Sequence, residues 1–199
     1  MNHLSAPLLS VCVYCASSPQ ATPDLMAAAA GLGELIARAK IRLVYGGGSL
    51  GLMGACARAA KAAGGDVLGV IPGFLTRIEP PLGGIETVVV ASMHDRKMRM
   101  FEESDGFAVL PGAIGTLEEA IELISWRRLE LHDKPIVFFD PGAYWRPLFD
   151  LFERFIADRM VPEDFARCWS VVSSIEEVIP DLRRGAKPGP SAQAVEKLS

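Results

Sequence analysis

The sequence predicts a doubly wound α/β fold, in which a mostly parallel sheet carries helices on both faces. Three observations carry that expectation. Strand-like and helix-like stretches alternate from residue 10 to residue 184. Strands such as VLGVI and PIVFF are apolar throughout, as strands covered on both faces must be. Two glycine-rich segments stand where a strand hands over to a helix, which is where such sheets bind ligands.

The elements follow in order. Ser10–Cys15 is a short β-branched run, and Ser17–Gln20 a turn. Thr22-Pro23-Asp24 opens a helix with a capping hydroxyl, a first-turn proline and an acid at the positive end. Its Ala-rich body runs to about Ala39. Arg42–Tyr45 is a strand that ends in GGGSLG, and Leu50–Ala63 a helix stopped by Gly64-Gly65. Asp66–Ile71 is a strand, and residues 74–85, with two Pro and two Gly, are expected to form a long loop. Thr87–Val90 is a strand, Met93–Glu103 a helix and Phe107–Leu110 a strand. A helix is expected over Thr116–Leu129, a strand over Pro135–Phe139 and a helix over Trp145–Asp158. Ser170–Val172 is a last short strand, and Ser174-x-x-Glu177 is a capping box for a helix ending near Arg184. Residues 1–184 are therefore expected to be one domain, and 185–199 a disordered tail.

Composition narrows the function classes. The 199 residues are 50% hydrophobic and 22% charged, enough for a sizeable core. A net charge of −4 argues against nucleic acid or an anionic membrane surface as partner, but not against a local cationic pocket. No apolar run approaches a bilayer-spanning length, and the N-terminus lacks the basic start of a secretory signal. A cytoplasmic location is expected. The four cysteines are too few for a disulfide scaffold. Cys12 and Cys15 make a CxxC inside a strand, where residues three apart face opposite ways, so buried thiols are expected rather than a metal site.

Two loops carry the chemistry. Gly46-Gly47-Gly48-Ser49-Leu50-Gly51 and Pro111-Gly112-Ala113-Ile114-Gly115-Thr116 each lead into a helix N-terminus. Free N–H groups and the helix dipole there favour a phosphate, although tight strand-to-helix turns would use the same residues. Neither loop continues as Gly-Lys-Ser/Thr, which disfavours an ATPase. Gly46, Gly48 and Gly51 match GxGxxG, yet Asp66 begins its strand instead of ending one, which disfavours NAD.

Met93-His94-Asp95-Arg96-Lys97-Met98-Arg99 puts three cations near a helix start, where the dipole opposes them. Either they form a solvated face with pairs such as Arg99 to Glu103, or Arg96 and Lys97 meet a nucleotide; the second is preferred. His94 is expected to be a local hydrogen-bonder. Thr116 and Glu119 read as a capping box, with Arg127 and Arg128 completing the far end of that helix. Glu119 also lies beside the second glycine loop. A carboxylate there repels phosphate, which makes sense if it faces a positive charge that develops during reaction.

YGGGSLGLMG, MHDRK and PGAIGTLEE, in that order and spacing, resemble the Lonely Guy family, cytokinin riboside 5'-monophosphate phosphoribohydrolases long labelled lysine decarboxylases. The resemblance covers about residues 8–182 and implies a Rossmann-like homodimer. It implies hydrolysis of the N-glycosidic bond of adenine-type nucleoside 5'-monophosphates, AMP or isopentenyladenosine monophosphate, to free base and ribose 5-phosphate. No metal or cofactor is implied. The family's catalytic arginine and glutamate fall on Arg96 and Glu119. Its nucleotide contacts fall on Lys97, on Gly112, Ala113, Ile114, Gly115, Thr116, Leu117 and Glu118, and by looser alignment on Glu79 and Ser125; Gly46, Gly47 and Gly48 join them as the first glycine loop. Ala113 replaces a family glycine, and its methyl group is expected to restrict φ or crowd a phosphate oxygen while sparing the site; Ala16 replaces another. A non-catalytic nucleotide or cofactor carrier is the alternative. A pyridoxal-dependent decarboxylase is disfavoured, because Lys97 lacks the supporting acid of a Schiff-base lysine.

Overall fold

A computed structural model describes residues 7–185 of the chain. The expected tail, apart from Gly185, lies outside the described residues. Seven strands form one sheet: β1 (Ser10–Tyr14), β2 (Arg42–Tyr45), β3 (Val67–Pro72), β4 (Glu86–Val90), β5 (Gly106–Val109), β6 (Ile136–Phe139) and β7 (Ser170–Val172). Every pairing is parallel, and the order is β4-β3-β2-β1-β5-β6-β7. The chain winds outward from β1 in one direction and then, from β5, in the other. That reversal opens a crevice at the carboxyl ends of the central strands.

Six helices cover the sheet: α1 (Pro23–Arg38), α2 (Gly51–Ala62), α3 (Met93–Glu102), α4 (Ile114–Arg128), α5 (Arg146–Ala157) and α6 (Val178–Gly185). One apolar cluster joins α1, α2 and α6 to Val11, Val13 and Cys15; a second joins α3, α4 and α5 to Cys12 and Tyr14. The period-two alternation of β1 thus splits the CxxC between two cores, as expected, and all four cysteines are buried and free. The opening of α1 also matches: the Thr22 hydroxyl caps it by accepting the Leu25 N–H at 3.4 Å.

At the amino ends of the strands, away from the crevice, Arg42 bridges Asp66 at 3.2 Å, Glu86 at 2.6 Å and Glu103 at 2.9 Å. Asp66 therefore serves a structural ion pair and not a ribose. Two expectations need correction. The loop after β3 begins with a 3-10 turn, Gly73–Arg77. More important, α4 starts at Ile114, with Ala113 as its N-cap and no side-chain cap bond. Thr116 is thus inside the first turn, buried, and it is no capping residue. Among the described residues no helix is long and apolar enough to cross a membrane.

Candidate active site

The crevice is assembled from the carboxyl ends of β1, β2, β3 and β5. Ser92 caps α3 by accepting the Asp95 N–H at 3.1 Å, and the first turn then directs Arg96 inward. Arg96 is 6% exposed, so the solvated-face reading does not apply to it. Its Nε donates to the Val70 carbonyl at 3.2 Å and its Nη2 to the Gly46 carbonyl at 3.2 Å. The lack of a side chain at Gly46 makes this possible, because a methyl group there would collide with the guanidinium. Arg99 pairs with Glu103 at 2.6 Å as expected, whereas His94 is exposed and forms no hydrogen bond with the described residues.

Arg96 Nη1 lies 3.9 Å from Glu119 Oε1, an ion pair without a hydrogen bond. Glu119 is nearly buried, on the first turns of α4. Burial pushes its carboxyl up to about 7; Arg96 opposes the push, Glu118 adds to it, Lys97 opposes it and Glu79 adds to it. The capping role expected of Glu119 is absent, since its carboxylate is directed to Arg96. Burial pushes the Tyr14 phenol, at the carboxyl end of β1, well above its ordinary range, with Cys12 and Glu119 adding to the shift and Arg96 opposing it. That phenol stays a neutral O–H group.

The two glycine loops turn out unlike one another. At the first, the N–H groups of Leu52 and Met53 are taken by the Ala16 carbonyl at 2.9 and 3.3 Å. The loop is also tied to the segment after β3: the Ser49 N–H meets the Pro80 carbonyl at 2.9 Å, and Gly48 bridges Pro81. These bonds bring Glu79 beside Gly48, while Gly47, at φ 82°, turns the chain against Ile71. The loop braces Arg96 and Glu79, and the opening of α2 is packed against the backbone of Ala16–Ser18, with two of its leading N–H groups spent on Ala16.

The second loop is open. The first helical bond of α4 joins the Leu117 N–H to the Ala113 carbonyl at 3.0 Å, which leaves the N–H groups of Ala113, Ile114, Gly115 and Thr116 without an acceptor among the described residues. Ala113, Ile114 and Gly115 are exposed, and a side chain at Gly115 would meet nothing. Gly112 is the opposite case, because a Cβ there would collide with the Thr116 side chain packed below. Ala113 has φ −97°, an ordinary value for an L-residue, so the expected restriction of φ by its methyl group does not arise.

Lys97, expected as a nucleotide contact, lies on the first turns of α3 next to Arg96. Its ammonium is clasped by Glu118 at 2.6 Å and Glu122 at 3.0 Å, tying α3 to α4 directly beside the Arg96–Glu119 pair. Burial lowers its affinity for the proton, but the hydrogen bonds to Glu118 and Glu122 outweigh this and raise it. Leu117 packs against the core, and Ser125 is exposed roughly 9 Å further along the α4 axis than Glu119. The structure thus gathers Arg96, Glu119, Glu79, Gly46, Gly47, Gly48 and Gly112–Thr116, and leaves Ser125 apart. Sequence reasoning missed Glu122, whose spacing of four from Glu118 was a usable signal. It also missed Tyr144, whose hydroxyl meets the Gly112 carbonyl at 2.8 Å with no local sequence signal.

Comparison with known proteins bears on this arrangement. A family model described as "Possible lysine decarboxylase" matches residues 53–182, which include the Arg96 and Glu119 segments. A probable cytokinin riboside 5'-monophosphate phosphoribohydrolase of Oryza sativa subsp. japonica is 41% identical over 179 residues, 85% of this chain and 78% of its own length. The cytokinin riboside 5'-monophosphate phosphoribohydrolase of Rhodococcoides fascians is 40% identical over 176 residues, 87% of this chain and 89% of its own. The chain belongs to the Lonely Guy family. Its fold extends beyond the family: the molybdenum cofactor carrier protein of Chlamydomonas reinhardtii superposes with a TM-score of 0.67 over 90% of this chain and 98% of its own, at 20% identity. At that identity the likeness concerns the fold alone.

Proposed function

We propose that this Lonely Guy protein hydrolyses the N-glycosidic bond of adenine-type, cytokinin-class nucleoside 5'-monophosphates, releasing the base and ribose 5-phosphate. One observation carries the reading: a nearly buried carboxylate, loosely paired with a buried arginine, lies on the first turns of a helix whose four leading N–H groups are free. The donors of Ala113–Thr116 suit the 5'-phosphate, and the helix dipole adds to their attraction. With the phosphate fixed there, Glu119 reaches the sugar.

Cleavage passes through an oxocarbenium-like state with positive charge at the anomeric carbon. The Glu119 carboxylate stabilises that charge and takes a proton from the attacking water, whose oxygen bonds to the anomeric carbon as the bond to the base nitrogen breaks. A carboxyl that titrates near 7 suits such a base. Arg96, held by two backbone carbonyls, orients Glu119 and offers its remaining donors to the nucleotide. Lys97 keeps α3 and α4 in register through Glu118 and Glu122.

A homodimer accompanies this reading. The outer face of α4 carries exposed Ile114 and Ile121, with Ser125 on the same stripe and exposed Leu129 at its C-cap, so a second copy would cover the stripe and bring Ser125 into a shared pocket. The test is chromatography of purified protein incubated with AMP or isopentenyladenosine monophosphate. Release of free base, lost in Glu119→Gln, is the expected result. Binding of either nucleotide without release would instead make the protein a carrier.

A further inference from the structure

The turn after β5 is held from two sides. The Ala16 N–H holds the Pro111 carbonyl at 3.2 Å, and the Tyr144 hydroxyl donates to the Gly112 carbonyl at 2.8 Å. The peptide joining Gly112 to Ala113 is planar and trans, so its carbonyl and its N–H point in opposite directions. Pinning the carbonyl on Tyr144 therefore aims the Ala113 N–H away from Tyr144. That N–H is one of the four left free at the opening of α4.

Tyr144 is delivered by a segment with an uncommon backbone. Gly142 and Ala143 both lie in the left-handed region at φ 59°, where a Cβ such as that of Ala143 is unfavourable. The segment is clamped all the same. Asp140 Oδ1 accepts the Trp145 N–H at 2.6 Å, and the Asp140 N–H donates to the Val172 carbonyl at 2.9 Å. The buried Trp145 ring packs on Phe138 and stands edge-on to the Tyr144 ring, with centroids 5.6 and 5.0 Å away. Tyr144 itself stays 45% exposed, so burial of its ring does not account for the arrangement. Strain of this kind persists where the surroundings impose it, and here it places one hydroxyl on one carbonyl.

We propose that Tyr144 is a positioning residue of the anion cradle, one that presets the Gly112–Ala113 peptide so that the Ala113 N–H is aimed at the 5'-phosphate. This inference rests on the proposed function, in which Gly112–Thr116 hold that phosphate. Tyr144 touches no reacting atom, and its effect belongs to phosphate affinity.

Tyr144→Phe removes the hydroxyl and keeps the ring. Kinetics with isopentenyladenosine monophosphate, and inhibition by ribose 5-phosphate, separate the outcomes. The loss of one aimed hydrogen bond raises the KM and the inhibition constant by roughly five- to tenfold, with kcat within about twofold of the parent. The melting temperature falls by no more than about 2–4 °C, the cost of one intramolecular hydrogen bond. Unchanged KM and inhibition constant overturn the inference and leave the function standing, as does a fall in kcat at constant KM. A parent protein that neither cleaves nor binds the monophosphate overturns the function itself, before any variant is compared.

Discussion

At the scale of single residues, the decisive feature is how little neutralises Glu119. Arg96 stands 3.9 Å away, with two of its donors committed to backbone carbonyls, so the ion pair only partly offsets burial. The carboxyl is raised from 4.5 to about 7, so its charged form weakens the fold. That penalty is absent below about pH 4.5, grows as the proton leaves and is complete above about pH 7, where it is on the order of 3 kcal/mol. Glu119→Gln carries no such titration. The melting temperature of the variant relative to the parent therefore rises between pH 4.5 and pH 8, and a difference that falls over that range contradicts the assignment. In the active parent enzyme the same proton must leave first, so kcat/KM climbs with pH through about 7. A flat profile between pH 5.5 and 8 would separate Glu119 from the chemistry.

At the scale of elements, the two glycine loops show that a helix N-terminus is a ligand site only when nothing else occupies its donors. Ala16 takes two of the leading N–H groups of α2, those of Leu52 and Met53, whereas all four at the opening of α4 stay free. The neighbouring positions 112 and 113 should respond in opposite ways. Gly112→Ala would drive a methyl group into the buried Thr116 side chain, and it is expected to cost about 1–3 kcal/mol of stability and more than tenfold in kcat/KM. Ala113→Gly restores the family residue at a position whose φ any residue adopts. It should lower stability by only about 0.5–1 kcal/mol, through greater freedom of the unfolded chain, and leave kcat within about twofold. Thermal denaturation and steady-state kinetics of the pair check both. Equal behaviour of the two variants would mean that the turn is not packed as described.

At the scale of the whole molecule, the sheet separates stability from chemistry. The Arg42 ion pairs tie β2 to β4 and to the residues that precede β3 and follow α3, at the amino ends of the strands, and the site occupies the carboxyl ends. The sheet also keeps Cys12 and Cys15 on opposite faces, in different cores. Burial raises the thiols of Cys12, Cys15 and Cys56; Glu119 adds to the shift at the first two, while Tyr14, Arg96 and Ser104 oppose part of it at Cys12. The native protein should therefore resist a thiol reagent such as dithiobis(nitrobenzoate) at pH 8, and all four cysteines should react once guanidinium unfolds it. Rapid labelling of two thiols in the native state would show that this layer opens.

Much of this protein was legible in the sequence because the relevant signals are local. Alternating apolar runs fix which residues are buried, caps and glycines punctuate the helices, and the motifs around Arg96 and Glu119 carry the family likeness. What the tertiary structure alone decided is who partners whom. Lys97 meets Glu118 and Glu122 across two helices, Ala16 closes one loop beside another that stays open, and Tyr144 reaches Gly112 from 32 residues away. Residue type and spacing govern burial and local hydrogen bonding. Whether a donor or a charge remains free depends on contacts between distant segments, which exist only once the sheet has brought the carboxyl ends of its strands together.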